Sequence, residues 1–280
     1  MKEITRPLLH FPVLSRADFV FFRLRGSGLG NLLFPLYRAY QARQLQGGLL
    51  VFPQFLQLKP GPLMRREPDA RAYGDIFQAR TAKEVMHHAR ALWLLHTGKD
   101  ERQLRIYEGL GRHFHELSPA LRADFRRSLI QRYRQSQRLQ QALSKIHEED
   151  IAVHIRRGDF AASTNPMAAQ GTMNFIIEDE WYVLATELAR QRSPSGKVRV
   201  FTDSSELPPS LLKALKPNEI DQSPDALHSL MKMSGHGTIV TSRSSFSLWA
   251  AYLGNSHAFV NRDFDIERYM PIETLDISRC

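Results

Sequence analysis

Ile151-Ala-Val-His-Ile-Arg-Arg-Gly-Asp-Phe160 is an apolar, partly β-branched run that breaks into two arginines, a glycine and an aspartate. Ile151, Val153 and Ile155 carry strand propensity, and Gly158 permits a sharp turn directly after the strand. The stretch therefore predicts a buried strand that delivers charge to a loop. Open α/β sheets bind ligands at the carboxyl ends of their strands, and that is where Arg156 and Arg157 fall. A guanidinium fork placed there can donate two parallel hydrogen bonds to phosphoryl oxygens. The alternative is an ion pair with Asp159 or a solvated charge cluster.

The chain has 280 residues, of which 42% are hydrophobic, enough for one large domain or two ordinary ones. Its one cysteine, Cys280, is the last residue, so no intrachain disulfide or cysteine-ligated zinc site is expected. The first residues lack the apolar core of a signal peptide, and no stretch approaches the roughly 18 apolar residues that span a bilayer. A reducing, cytoplasmic setting is the expectation. The formal net charge of +9 points to an anionic partner: a phosphorylated small molecule, an acidic membrane surface or nucleic acid. Much of the excess lies between Arg102 and Arg138, read as helical. It is not interleaved with aromatics as an RNA platform would be.

Upstream, Phe19-Val-Phe-Phe22 reads as a strand leading into Arg25-Gly-Ser-Gly-Leu-Gly-Asn31. The helix that follows places Leu33, Leu36, Tyr37 and Tyr40 on one face, with Pro35 in its first turn or kinking it. Leu49-Leu-Val-Phe52 completes a β-α-β unit, and Pro53 to Pro68 reads as an irregular loop. Helical patterns run from Thr81 to His96 and from Ser118 to His147, the second with Ser118 as N-cap. The acidic Glu148-Glu149-Asp150 is the expected boundary between domains 1–148 and 149–280. Beyond it, a loop at 161–172 and a helix at 178–192 precede the strand Lys197–Thr202, which ends at Asp203. Helices at 207–215 and 226–233, a strand at 238–241, a helix at 244–253 and a strand at 257–260 complete the alternation. The whole implies an α/β protein of two Rossmann-like domains facing a cleft, each on a parallel sheet.

The glycine loop also fits dinucleotide or S-adenosylmethionine enzymes, which want a carboxylate at the end of the second strand; here the chain reads Val51-Phe-Pro-Gln54. His87-His88 and His113-Phe-His115 lack metal-binding partners at useful spacing. Asp263-Phe-Asp265 is a D-x-D, but it lies close to the C-terminus. Ser244-Ser-Phe-Ser247 lacks the glycines of a nucleophile elbow and reads better as a helix N-terminus facing an anion.

Four stretches resemble the α-1,2-fucosyltransferases of glycosyltransferase family 11, and more loosely the α-1,6- and protein O-fucosyltransferases. Gly28-Leu-Gly-Asn-Leu-Leu-Phe34 is similar to G-L-G-N-Q-x-F, and His154-Ile-Arg-Arg-Gly-Asp159 to H-x-R-R-x-D. Val200-Phe-Thr-Asp-Ser204 is similar to F-S-D-D, and Ser244-Ser-Phe-Ser-Leu-Trp249 to S-S-F-S-W-W. Leu32, Ser204 and Leu248 depart from these patterns. The resemblance implies a GT-B arrangement, GDP-fucose as donor, inversion at the anomeric carbon and no required metal or cofactor. Arg156 and Arg157, with Ser244 and Ser245, would take the charge developing on the β-phosphate. His154, Asp203 and Phe246 would shape the nucleotide pocket. Gly28, Gly30 and Asn31 would lie near the sugar and its acceptor. Asp225 is the nearest candidate for reading guanine, and Asp159 is either the acceptor base or a brace for the arginine loop. The acceptor would be a glycan or lipid-linked oligosaccharide, with the basic surface near an acidic membrane. Transfer from another GDP-sugar is the alternative within the class; nucleic-acid binding is the alternative outside it.

Overall fold

The computed structural model describes residues 7–13, 28–52, 73–77, 79–98, 103–157 and 176–261. The chain divides into two compact units, Met1–Arg134 and Gln135–Cys280.

In the first unit, β1 (Leu9–Val13) is followed by α1 (Leu29–Gln46), β2 (Leu49–Leu50), α2 (Gly74–Phe77), α3 (Ala82–Thr97) and β3 (Leu104–Glu108). Two 3-10 turns, His113–Glu116 and Pro119–Leu121, precede α4 (Arg122–Arg132). The strands are parallel in the order β2-β1-β3. Leu9, Phe11 and Val13 of β1 pack with Val51, Ala91, Leu94 and Leu104. In α1, Leu33, Leu36, Tyr37 and Tyr40 are buried as their spacing predicts. Pro35 lies in the second turn, not the first, because the helix opens directly after Gly28; it has no amide to donate to the Asn31 carbonyl. The fully buried His10 ring bridges the strands, with Nδ1 2.8 Å from the Tyr107 hydroxyl and Nε2 2.8 Å from the Gly47 carbonyl oxygen. Thr81 caps α3 by accepting the Glu84 amide at 3.2 Å.

Among the described residues β2 pairs in parallel with β1; the run Phe19–Phe22 lies outside them. Two expectations for this unit change. Residues 104–108 are a strand, not a helix: all five pair in parallel with β1, and Leu104 and Ile106 face the core with the exposed Arg105 between them. The pattern beginning at Ser118 is two helices, because the buried Tyr133 takes an extended conformation at φ −69°, ψ 131°. Ser118 provides no side-chain cap there; its amide donates to Gln41 Oε1 at 2.8 Å.

The second unit runs α5 (Ser136–Leu143), β4 (Ile151–Ile155), α6 (Asp179–Arg192), β5 (Val198–Thr202), α7 (Pro209–Leu215), β6 (Glu219–Asp221), α8 (Ala226–Met233), β7 (Thr238–Val240), α9 (Ser245–Gly254) and β8 (His257–Phe259). Helix α5 thus precedes the acidic turn at Glu148–Asp150 within this unit. All five strands are parallel, in the order β6-β5-β4-β7-β8. Strand order reverses between β4 and β7, and an open α/β sheet offers its ligand crevice at the carboxyl ends flanking such a switch. Ile151, Val153, Ile155, Val198 and Val200 bury one face of the sheet against Tyr182, Ala185, Leu211 and Leu215 of α6 and α7.

The start of β4 is fixed by close contacts. Asp150 is 2% exposed, and its two carboxylate oxygens accept the amides of His147 and Lys197, each at 3.0 Å. A Cβ at Gly196 or Gly237 would overlap the carbonyl oxygens of Glu149 and Glu148, so neither position has room for a side chain. Asp150→Ala strands two amides and is expected to lower stability by about 2–3 kcal/mol, seen as an earlier urea midpoint. Gly237→Ala should shift that midpoint in the same direction.

Candidate active site

The hydrophobic strand β4 ends at Ile155, and the chain emerges with Arg156 and Arg157, whose side chains remain largely covered at 22% and 19% exposure. Beside it β5 ends at Thr202, so Asp203 occupies the same rim. Asp203 Oδ1 accepts the Arg157 amide at 2.9 Å, while Oδ2 pairs with Arg156 Nε at 3.5 Å. One carboxylate therefore fixes both the backbone and a guanidinium of the arginine pair. The Arg157 guanidinium reaches in another direction, to an ion pair and hydrogen bond with Asp179 at the start of α6. Tyr182, one turn later, is 1% exposed. Its hydroxyl sits against the Arg156 backbone close to Arg157 and Asp203, and burial raises its pKa, opposed in part by the Arg157 charge.

Across the strand reversal, β7 leads into the N-terminus of α9. Ser244 caps that helix, its hydroxyl accepting the Phe246 amide at 3.2 Å. The Ser247 hydroxyl donates back to the carbonyls of Ser242 and Ser244, each at 3.2 Å. His154 links the two sides: its Nδ1 is 2.7 Å from Ser242 Oγ, and its ring lies 5.3 Å from that of Phe246. Burial, together with the nearby Arg156 charge, lowers the His154 pKa to about 3, so the ring is neutral at physiological pH. The arrangement sets two arginines and a capped helix N-terminus beside the switch point, a donor set suited to an anion.

Arg156, Arg157 and Asp203 are thus joined by contact, and His154, two residues before Arg156 on β4, is in contact with Phe246, with Ser244 and Ser245 in the same helix start. Asp225 is the N-cap of α8 and accepts the His228 amide at 3.0 Å. Gly28, Gly30 and Asn31 open α1 in the first unit, where the Asn31 amide donates to the Gly28 carbonyl at 3.2 Å. Asp159 lies outside the described residues, as does the Asp263-Phe-Asp265 sequence. Asp179, Tyr182 and Ser242 were not anticipated from sequence. The acidic Glu178-Asp179-Glu180 heading a helix was the available signal for the first. Among the described residues, no three His, Cys, Asp or Glu side chains gather as metal ligands.

A family model described as glycosyl transferase family 11 matches residues 112–264, more than half of the chain, and this span includes the arginine pair, Asp203 and the α9 motif. The chain belongs to glycosyl transferase family 11. It is accordingly a glycosyltransferase. No curated protein matches this family 11 chain. Among solved structures, it is similar to NodZ alpha-1,6-fucosyltransferase soaked with GDP-fucose, at 13% identity over 89% of this chain and 92% of that one, with a TM-score of 0.41. A selenomethionine form of fucosyltransferase NodZ from Bradyrhizobium is similar at 15% identity over 88% and 91%, also with a TM-score of 0.41. POFUT1 in complex with GDP is similar at 17% identity over 71% and 61%, with a TM-score of 0.31.

The buried histidines of this family 11 protein set a sign for its pH dependence. His154 gains its proton near pH 3 in the native state but near 6.5 when unfolded, and burial lowers His236 to about 4 in the same sense. Between those values the unfolded chain binds more protons, so stability declines as pH drops from about 6.5 and is insensitive to these groups above about 7. Urea midpoints measured from pH 7.5 to 4.5 should fall on acidification, and His154→Gln should flatten the slope.

Proposed function

We propose that the protein is a fucosyltransferase that moves L-fucose from GDP-fucose to a sugar hydroxyl, with inversion and without a required metal. An α-1,2 linkage and a role in glycan or surface-polysaccharide synthesis complete the proposal. The observation that carries it is the arginine pair at the sheet's switch point, braced by Asp203 and Asp179 beside the N-terminus of α9. Membership in family 11 and the likeness of the four motifs to those of its α-1,2-fucosyltransferases support the choice of donor. The arrangement of two Rossmann-like domains opposed across a cleft, with residues 1–148 on the acceptor side and 149–280 holding the nucleotide, belongs to the same proposal and rests on that likeness.

In the reaction, the acceptor oxygen attacks the anomeric carbon from the face opposite the nucleotide. The bond from that carbon to the β-phosphate oxygen breaks, GDP departs with its electron pair, and the hydroxyl proton passes to a base, for which Asp159 is the candidate. Negative charge grows on the β-phosphate as the sugar becomes oxocarbenium-like. Fixed donors aimed at that charge lower the barrier, because they need no reorganisation as it develops. Arg156 is assigned this role, with Arg157, Ser244 and Ser245 as the remaining donors. Asp203 holds the Arg156 Nε edge, so a phosphate would be met by the terminal amino groups. His154 stays neutral and adds no second positive charge, while Phe246 packs on its ring.

Loss of one preorganised donor costs about 3–4 kcal/mol, so Arg156→Ala should reduce kcat some 10²–10³-fold with an unchanged melting temperature. Near-normal turnover would remove the arginine from the mechanism. Across nucleotides and nucleotide sugars, GDP and GDP-fucose should give the largest thermal stabilisation, above UDP, NAD and S-adenosylmethionine; equal shifts from another GDP-sugar would redirect the donor. Asp179→Asn should weaken GDP binding by roughly tenfold, the worth of one charge-assisted hydrogen bond, through a less constrained Arg157. Asp179→Glu should recover part of it.

A further inference from the structure

The positive charge is distributed unevenly along the chain. Residues 1–134 hold 23 Lys and Arg against 11 Asp and Glu, whereas residues 135–280 hold 15 against 18. The first unit therefore carries more than the whole net charge of the protein, and the nucleotide-binding residues assigned above contribute none of it. Its helix α3 also has an unusual outward face. Val85, Met86 and Trp93 are 42%, 63% and 51% exposed, and they make up three of the six large hydrophobic side chains that stand out among the described residues. His88, Ala91 and Leu94 form the buried side of the helix. Met86 and Trp93 are seven residues apart, which sets them about 20° apart on the helix, with the exposed Ala89 between them on the same surface. Lys83 and Arg90 border this strip. The one carboxylate of the helix, Glu84, is directed to Arg132 and to the Arg80 amide.

We propose that the outward face of α3 docks on an anionic lipid surface, with Trp93 and Met86 entering the headgroup boundary and the basic charge of the first unit providing the attraction. An indole is amphipathic and favours that boundary, and a helix with an apolar strip edged by cations lies in its plane. Lysines and arginines are drawn to anionic headgroups over about one Debye length. The strip has methyl and thioether groups at its centre, which match lipid chains better than the bases of a nucleic acid. Such docking would hold a family 11 enzyme beside membrane-borne sugar acceptors, yet it does not depend on which donor the second unit binds.

Co-sedimentation of the full chain with vesicles tests this. The protein is expected to bind vesicles of phosphatidylcholine containing about one-third phosphatidylglycerol and to ignore pure phosphatidylcholine, with binding lost between roughly 0.05 and 0.5 M salt. Met86→Ser with Trp93→Ser should reduce partitioning at least tenfold, and Lys83→Glu should reduce it too. Ile220→Ser, an exposed apolar site in the second unit, should leave it unchanged. Exposed positions tolerate such changes, and GDP-induced thermal stabilisation should persist in every variant. Since Trp93 is one of three tryptophans, a blue shift of emission on vesicles that vanishes in Trp93→Phe would mark insertion of that side chain. Equal binding to neutral vesicles, no binding to either, or binding that survives the double substitution would overturn the proposal. So would a change of oligomeric mass in the double variant, which would assign the face to a second copy of the chain.

Discussion

Asp203 is the pivot of the strand-end cluster in the second unit. A carboxylate at the tip of β5 that takes a backbone amide of the neighbouring strand's loop on one oxygen and a guanidinium on the other ties two strand ends together with charge-assisted bonds. Such a brace is what a site for an anion requires of its surroundings. Arginine side chains have considerable rotamer freedom, and donors ordered before the ligand arrives need not be ordered at its expense. Asp179 repeats the arrangement on Arg157, so each arginine has its own carboxylate.

The opposite end of the same sheet is held by steric closeness as much as by charge. Asp150 satisfies two amides, and Gly196 and Gly237 let their strands come up against the Glu148–Glu149 backbone. With one end of β4 clamped and both faces of the sheet covered, the residues past Ile155 leave the core at a defined point. A buried neutral histidine at the fourth position of the strand then joins it to the turn before α9. The charged groups of the site thus stand on a frame that is itself apolar and tightly packed.

Much of the second unit was legible in the sequence because its central strands are continuous apolar runs with both faces buried, bounded by helical patterns of ordinary length. The strand Glu219–Asp221 was not, since two of its three residues are exposed and its composition is that of a loop. In the first unit, β1 contains His10 and Pro12, residues that argue against a central strand, and β3 has one buried residue of five and lies inside a basic stretch that suggested a helix. At the site, the arginines, Asp203 and the serine-rich helix start could be recognised from local sequence. The acidic run that heads α6 marks Asp179 only as a helix-start residue; its role and that of Ser242 arise from pairings 22 and 88 residues apart in the chain.

The parallel pairing of β1 with β3 also bears on biosynthesis. Leu9 finds its partner at Leu104, whereas the earlier strand offers β1 a ladder of only two residues. A nascent chain therefore emerges from the ribosome for some ninety residues before its first strand has a full-length neighbour, and closing so long a loop is slow. Leu9, Phe11 and Val13 gain their apolar partners in stages, from Val51 through Ala91 and Leu94 to Leu104, so this part of the core closes late in synthesis of the first unit.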